Sequence, residues 1–452
     1  MEQSIFLDFN LPTAATWFYF SLFLTVALFF QFTRLLSIRN LDLLMLFLLV
    51  PGFLILQEAS KFDAASRSLG SEELTRRAVR ERTLGYAWLL VGSLYWFVRA
   101  IVDTALVRRP PVTVNLNTPG MAWLALALFV GLTAVAVRRT PDQANQERVG
   151  TRPVTIEQVQ ETATAVVQQA QSTNGHHAPA ATVQFWAERG LAMICHAAVL
   201  IGLLMIGWRH FGDITTGVAA AALYTLVPYT AYHIGQFYHV WPTAFLVWAI
   251  FCYRRPMLAG WLLGLAAGSA VFPALLFPLW FGFFSRRGAA RFGLAFLVAS
   301  ASSIGVTALV LMIDGPTGQG IVSALNLTHW KPWAPPTTES IWSGTHWAYR
   351  LPLFVLFIGF LVSATIWPTR KNLSHLIAQS AAILVGIQFW HADRGGLYVL
   401  WYLPLLLLIV LRPNLSAAEP PPIAPGSVLT RLAGAAWRRV RPVQDQPNPL
   451  AV

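Results

Sequence analysis

Charge is scarce in this chain and cysteine is nearly absent. Charged residues fill 12% of the 452 positions while 56% are hydrophobic, and the mean hydropathy is +0.54. A soluble fold cannot cover its surface from such a mixture, which excludes a globular domain and leaves an integral membrane protein. The two cysteines, Cys195 and Cys252, both lie inside apolar runs, so they read as small core residues and say nothing about redox compartment. The opening "MEQSIFLDFNLPTAATWF" contains Glu2 and Asp8 but no basic residue. It therefore lacks the positive head of a cleavable signal, and a short acidic head favours an N-terminus outside the cell. Phosphate-binding loops, nucleophile elbows and dinucleotide fingerprints are missing. No metal-ligand spacing occurs either: His176-His177 stands in a Gly/Ala/Pro stretch without nearby carboxylates and reads as solvated linker.

What charge there is carries information by its placement. The formal net charge is +12 and the pI about 10.2, but the arginines stand in short clusters at the ends of apolar runs, as the positive-inside bias produces. Without a folded soluble module, nucleic acid is not an expected partner. Apolar runs fall near 15–33, 41–57, 84–106, 121–137, 190–208, 214–233, 240–253, 289–313, 351–368, 374–391 and 396–411. With the N-terminus outside, the inner connections hold Arg34, Arg39, Arg108, Arg109, Arg209, Arg254, Arg255, Arg370 and Lys371, and the inner tail begins at Arg412.

That alternation depends on one stretch. Residues 256–285, "PMLAGWLLGLAAGSAVFPALLFPLWFGFFS", are 30 residues without a charge between two arginine pairs. One helix of that length reaches about 45 Å, too long for a hydrocarbon core of roughly 30 Å, yet two full spans need more residues. A re-entrant hairpin of two half-helices returns the chain to its starting side, with the turn drawn from Gly264, Ala266, Ala267, Gly268, Ser269 and Ala270. The alternative is one long tilted helix kinked at Pro273 and Pro278.

The expected fold is therefore all-α. It is a polytopic transmembrane helical bundle of about 11 crossing helices plus one hairpin, with the C-terminus cytoplasmic. The membrane domain covers 1–412, with outer loops at 58–83, 138–189 and 314–350, followed by a Pro-rich linker and basic amphipathic tail over 413–452. Within the second loop, "TIEQVQETATAVVQQAQ" puts apolar residues on one face of a helix.

Candidate chemistry gathers at the outer ends of the helices. Glu58 and Asp63 follow the second span, where a carboxylate at the membrane surface could act as general base; two solvated loop acids are the plainer reading. "YTAYHIGQFYHVWP" brings Gln236, His233 and His239 among tyrosines, either to hold a hydroxyl-rich ligand or to serve as an aromatic belt. "FWHADRGGLYVLWYLP" places His391, Asp393 and Arg394 before the last span. Arg394 could bind a phosphate by paired hydrogen bonds, or simply pair with Asp393. Arg99 and Asp103, one helical turn apart, form an ion pair near the inner end, with a structural role favoured.

The order of elements over 229–297 is a "GQ" turn at Gly235-Gln236, a span, Arg255-Pro256, an "AGWLLGLA" half-helix, a half-helix with Pro273 and Pro278, and the basic turn Arg286-Arg287. This order resembles the middle of the GT-C glycosyltransferases, in particular their bacterial mannosyltransferase-like branch. The later "LTHWKPWAPPTTESIWSG" is similar to the Trp/Pro/Ser outer loop of that family. The family's lysine near the hairpin turn has no counterpart in "GSAVFP". Its first-loop acid has no counterpart in matching context either; the nearest acids are Asp8, Glu58 and Asp63.

The resemblance implies a cell-envelope transferase of the bacterial inner membrane that uses a polyprenyl-phosphate sugar as donor substrate and no organic cofactor. Its partners would be membrane lipids and the lipid-linked sugar. Glu58 or Asp63 would serve as base, Arg394 would meet the donor phosphate, and Gln236, His239 and His391 would line the substrate. The alternative is a non-enzymatic membrane protein, a transporter of lipid-linked glycans or an assembly scaffold.

Overall fold

The computed structural model describes residues 14–106, 114–138, 180–285, 288–314, 330–337 and 339–420, together with 164–165 and 168–169. Asp8, His176-His177, most of the amphipathic stretch near 155–171 and the basic tail lie outside the described residues. Among those described, regular structure is helical throughout, with no strand. Among the described residues, seven helices are long and apolar enough to cross a membrane, and five apolar ones are shorter.

In chain order the helices are α1 (Ala14–Phe29), α2 (Ile38–Met45), α3 (Val50–Leu69), α4 (Glu72–Asp103) and α5 (Thr118–Arg138). They continue with α6 (Ala180–Ile206), α7 (Ile214–Leu226), α8 (Pro228–Tyr232), α9 (Phe237–Phe251) and α10 (Pro256–Ser269). The last are α11 (Phe277–Phe283), α12 (Ala289–Asp314), α13 (Leu351–Ile366), α14 (Leu373–Trp390) and α15 (Leu403–Leu411). The centre is α14, 89% buried over its apolar window, whereas α5 and α13 are 22% buried and turn most of their apolar surface outward. An outward face of that kind needs lipid, since water would not accept it.

The expected outer loop 58–83 is a helical hairpin. α3 continues through its charged residues to Leu69, stops at Gly70 with φ +62°, and α4 starts at once behind a Ser71 cap. Gly70 is where only a residue without a Cβ turns freely into the left-handed region.

The uncharged stretch does return. α10 ends at Ser269, Ala270 is extended, Pro273 sits in the first turn of the 3-10 helix Phe272–Leu276, and α11 follows. α10 packs on α12 in parallel. A Cβ on Gly264 would stand 2.5 Å from the Phe296 carbonyl, Gly260 faces Phe292, and Gly268 faces Ser303. Ser300 Oγ also donates to the Gly264 carbonyl at 3.0 Å. Two helices joined by 19 intervening residues run parallel only if that connection comes back, so the single kinked helix is ruled out. The turn itself differs from expectation. Gly264, Ala266, Ala267 and Gly268 remain helical, and the two glycines with Gly260 supply the close α10–α12 seam, while Ala270 and Val271 break the chain.

At the end of the bundle shared by Arg34, Arg209 and Arg370, a buried network joins three elements. Arg99 donates Nε to Asp42 Oδ1 at 2.8 Å and Nη1 to Asp103 Oδ1 at 3.0 Å. Arg412, just beyond α15, donates Nε to Asp103 Oδ2 at 2.7 Å and Nη2 to the Leu106 carbonyl at 2.8 Å. Two carboxylates and two guanidinium groups thus pair in a buried place.

Candidate functional site

Several central helices are short. α7, α9 and α10 have 13, 15 and 14 residues, about 20 Å each, less than a hydrocarbon core. Their ends away from the basic network meet halfway along the long helices. Ser269, at the α10 end, lies beside Gly268, whose neighbour Ser303 is near the middle of α12. Trp241 in the second turn of α9 donates Nε1 to Ser269 Oγ at 3.0 Å. Into this level drop two loops, 330–350 and 391–402.

The loops and helix ends form a row of rings. His233 stacks on His239 with centroids 4.2 Å apart, His239 on Tyr398 at 5.7 Å, Tyr398 on Trp401 at 4.1 Å, and Trp401 on Phe272 at 3.9 Å. Trp330 closes one side, edge-on to His391 at 4.6 Å. Phe272 comes from the turn after α10, so the chain reversal contributes directly to this cluster. His233 donates Nδ1–H to Gln236 Oε1 at 2.9 Å. His239 is 1% exposed, and among the described residues neither of its ring nitrogens has a hydrogen-bond partner. A buried imidazole with two unmet nitrogens calls for a ligand or water, because a lost hydrogen bond in such a place costs about 1–3 kcal/mol.

Beside the rings lies the charged part. Thr337 donates Oγ1–H to Asp393 Oδ1 at 2.8 Å, and its N–H donates to the Ala392 carbonyl at 3.3 Å. Arg394 N–H donates to the Glu339 carbonyl at 3.1 Å, and the Arg394 guanidinium pairs with the Glu339 carboxylate. Arg394 adopts φ +46°, an uncommon conformation for a residue with a side chain. Burial works against its charge, but Glu339 first and then Tyr86 and Asp393 hold it protonated above the ordinary arginine value. Arg350, 1% exposed, fixes the loop from below, donating to the carbonyls of Trp390 at 3.2 Å and Pro332 at 3.1 Å and also to that of Ala334.

Four of the six residues expected from sequence come together: His239 and His391 both lie 5.7 Å from Tyr398, Gln236 binds His233, and Arg394 belongs to the same loop as His391. The two expected bases stand apart from this row, on the protruding α3–α4 hairpin. Glu58 pairs with Lys61 at 3.0 Å and is half exposed, while Asp63 pairs with Arg67 at 2.8 Å and Arg82 at 3.4 Å. Arg82 precedes Tyr86 by one turn, and Tyr86 is within electrostatic reach of Arg394, so Asp63 occupies the rim. Sequence reasoning missed Glu339, Thr337, Arg350, Tyr398 and Phe272. The first three stand in a loop noted only for its Trp and Pro content, and their pairing with 390–394 has no local signature.

No protein-family model matches this chain, nor does any curated protein or solved structure compared with it. Among the described residues, no group of three His, Cys, Asp or Glu side chains could hold a metal ion.

Proposed function

We propose that the protein is an integral membrane glycosyltransferase that takes a sugar from a polyprenyl-phosphate donor at the end of the bundle opposite the arginine clusters. By the positive-inside bias the basic end is cytoplasmic, the N-terminus is outside, and the chain crosses about 11 times around one re-entrant hairpin. The observation that carries the reading is His239, buried with both ring nitrogens unmet among the described residues, inside a row of aromatic faces and within electrostatic reach of Arg394. Aromatic faces suit a sugar ring, imidazole nitrogens suit its hydroxyls, and a guanidinium suits a phosphate.

In the transfer, an acceptor hydroxyl attacks the anomeric carbon and forms the new C–O bond. The bond from that carbon to the donor oxygen breaks, the prenyl phosphate leaves with the electron pair, and the acceptor proton passes to a carboxylate. Arg394 would offset the charge on the leaving phosphate by exchanging Glu339 for it. Gln236 and His391 line the sugar side. Of the acids, Asp393 is buried within the cluster, so the geometry favours it as base over Asp63 at the rim and Glu58 on the hairpin surface.

The test is sugar transfer in membranes from labelled polyprenyl-phosphate sugars. Arg394→Ala, His239→Ala and Asp393→Asn should each remove at least nine-tenths of the rate, roughly what the loss of one transition-state contact costs, and Glu58→Ala should not. The second reading, a carrier or scaffold for lipid-linked glycans, draws on the surface pairing of the two acids expected as bases. It would be preferred if the wild-type chain binds such donors and transfers from none.

A further inference from the structure

At the basic end, α6 closes in a π-helical turn, Gly207–Phe211. The wider turn leaves Trp208 and Arg209 exposed and brings His210 against the α9–α10 connection. His210 donates Nε2–H to the Phe251 carbonyl at 2.7 Å and meets the Tyr253 ring edge-on at 4.9 Å. Arg254 donates Nε–H to the Tyr253 hydroxyl at 3.0 Å. The imidazole thus locks two separate elements together, and Arg209 from one and Arg254 from the other both act electrostatically on it. Arg255 follows directly.

All three arginines are exposed, and none has an ion-pair partner among the described residues. The nearest acid in sequence, Asp213, is committed elsewhere. Its two oxygens accept from Thr215 N–H at 2.9 Å, Thr216 N–H at 3.1 Å and the Thr216 hydroxyl at 2.6 Å, capping α7. Like charges fixed around one imidazole repel each other, and a phosphate between them would turn that repulsion into attraction. Trp208, Met257 and Leu258 are exposed beside them at 56%, 59% and 43%. A bare ion has no use for such neighbours, whereas a lipid carries chains to cover them.

We propose that Arg209 and Arg254, with Arg255, form a site for the phosphate headgroup of an anionic membrane lipid. His210 positions the two arginines, and the Trp208, Met257 and Leu258 side chains meet the glycerol and upper acyl chain. The site requires neither the glycosyltransferase reading nor an assignment of membrane sides.

Native mass spectrometry of the full chain, offered phosphatidylglycerol and phosphatidylcholine in equal amounts, tests this. The wild-type protein should retain phosphatidylglycerol preferentially. Arg209→Gln and Arg254→Gln should each lower that preference about fivefold, the scale expected for one basic residue at an anionic surface, and the double variant should approach parity. His210→Ala should lower it too, although no arginine is removed. Arg370→Gln, an exposed arginine at the same end, should leave it unchanged. Thermal unfolding of each variant keeps a folding defect from passing as lost binding. Parity in the wild type, an equal loss in Arg370→Gln, or displacement of the lipid by millimolar inorganic phosphate would each overturn the proposal.

Discussion

Arg412 reaches Asp103 across 309 positions of sequence, with Nε 2.7 Å from Oδ2 and both side chains about 1% exposed or less. Asp103 is held on its other oxygen by Arg99, which in turn holds Asp42. The last helix of the membrane domain is thereby tied to the second and fourth by ion pairs as well as by packing, and Arg39 acts on Asp42 as a further cation.

Breaking one member leaves its partner charged and dry. Arg412→Met should destabilise the fold by about 3–5 kcal/mol, the usual result of stranding a buried ion. Arg412→Met combined with Asp103→Asn removes one charge of each sign, leaves Asp42 and Arg99 paired, and should recover much of the loss. Unfolding in detergent compares the three chains. A double variant no better than the single one would mean that the hydrogen bonds of Arg412 to the Asp103 and Leu106 carbonyls, rather than charge balance, set the stability.

The glycine seam gives a steric prediction. Gly264 faces the Phe296 carbonyl, which is backbone and cannot swing aside. Gly264→Leu should part α10 from α12 and cost about 1–3 kcal/mol or more by overpacking, while Gly305→Leu on α12, where nothing among the described residues lies within 4 Å, should be tolerated. Equal Tm values for the two variants would contradict the parallel seam.

What could be read in advance follows from the range of each signal. The apolar helices and the chain reversal after Ser269 are written locally, in runs of one or two dozen residues, and among the described residues the structure has seven helices long enough to cross a membrane and that reversal. Arg99 and Asp103 are legible as a pair because they are one turn apart, but Asp42 and Arg412 are not, since nothing in their surroundings marks partners 57 and 309 positions away. The hairpin glycines looked like turn formers because small residues serve both turns and helix contacts. The four-residue spacing of Gly260, Gly264 and Gly268 puts them on one helix face, and it is that face which meets α12. Glu58 and Asp63 are the first acids after an apolar run, but the helix does not end where the apolar letters do. α3 instead continues as a charged helix, and i,i+3 and i,i+4 partners engage both.

Arg350 should prove indispensable to the site although it touches no ring of the stack. Its fork serves three carbonyls on two segments, a geometry an ammonium cannot copy. Arg350→Lys should therefore release the 330–337 loop and move Trp330 off His391. Tryptophan emission shifted to longer wavelength and faster proteolytic cleavage near Lys331 would report it. Unaltered emission and cleavage in this variant would remove Arg350 from the positioning role.

Acid should weaken one helix start in a defined direction. Burial alone would raise the Asp213 carboxyl, but donors from Thr216 and Thr215 outweigh it and hold it below the ordinary carboxylate value. A carboxyl lowered in the folded state stabilises above its unfolded value, about 3.9, and loses that contribution as pH falls through the folded one. Asp213→Asn keeps a cap but cannot titrate. The wild type should therefore exceed this variant in Tm at neutral pH and converge with it below about pH 4. A gap that stays constant down to pH 3 would show that the charge contributes nothing.

The sidedness of the hairpin can be read directly, in a chain where Cys195 and Cys252 are replaced by alanine. Arg255 opens α10 and Arg291 lies in the first turn of α12, and parallel packing puts both at one end of the bundle. Arg255→Cys and Arg291→Cys should therefore react with a membrane-impermeant maleimide from the same face of sealed vesicles. Phe272→Cys, at the turn and fully buried, should react from neither. A crossing helix would give the opposite pattern, with the first two sites labelled from different faces, because 30 uncharged residues between them are enough for one tilted span. In that event Trp401 and Phe272 could not stack where they do, and the aromatic row would lose the contribution of the hairpin. Same-face labelling together with a protected Phe272→Cys is the result that the close contacts of Gly260, Gly264 and Gly268 require.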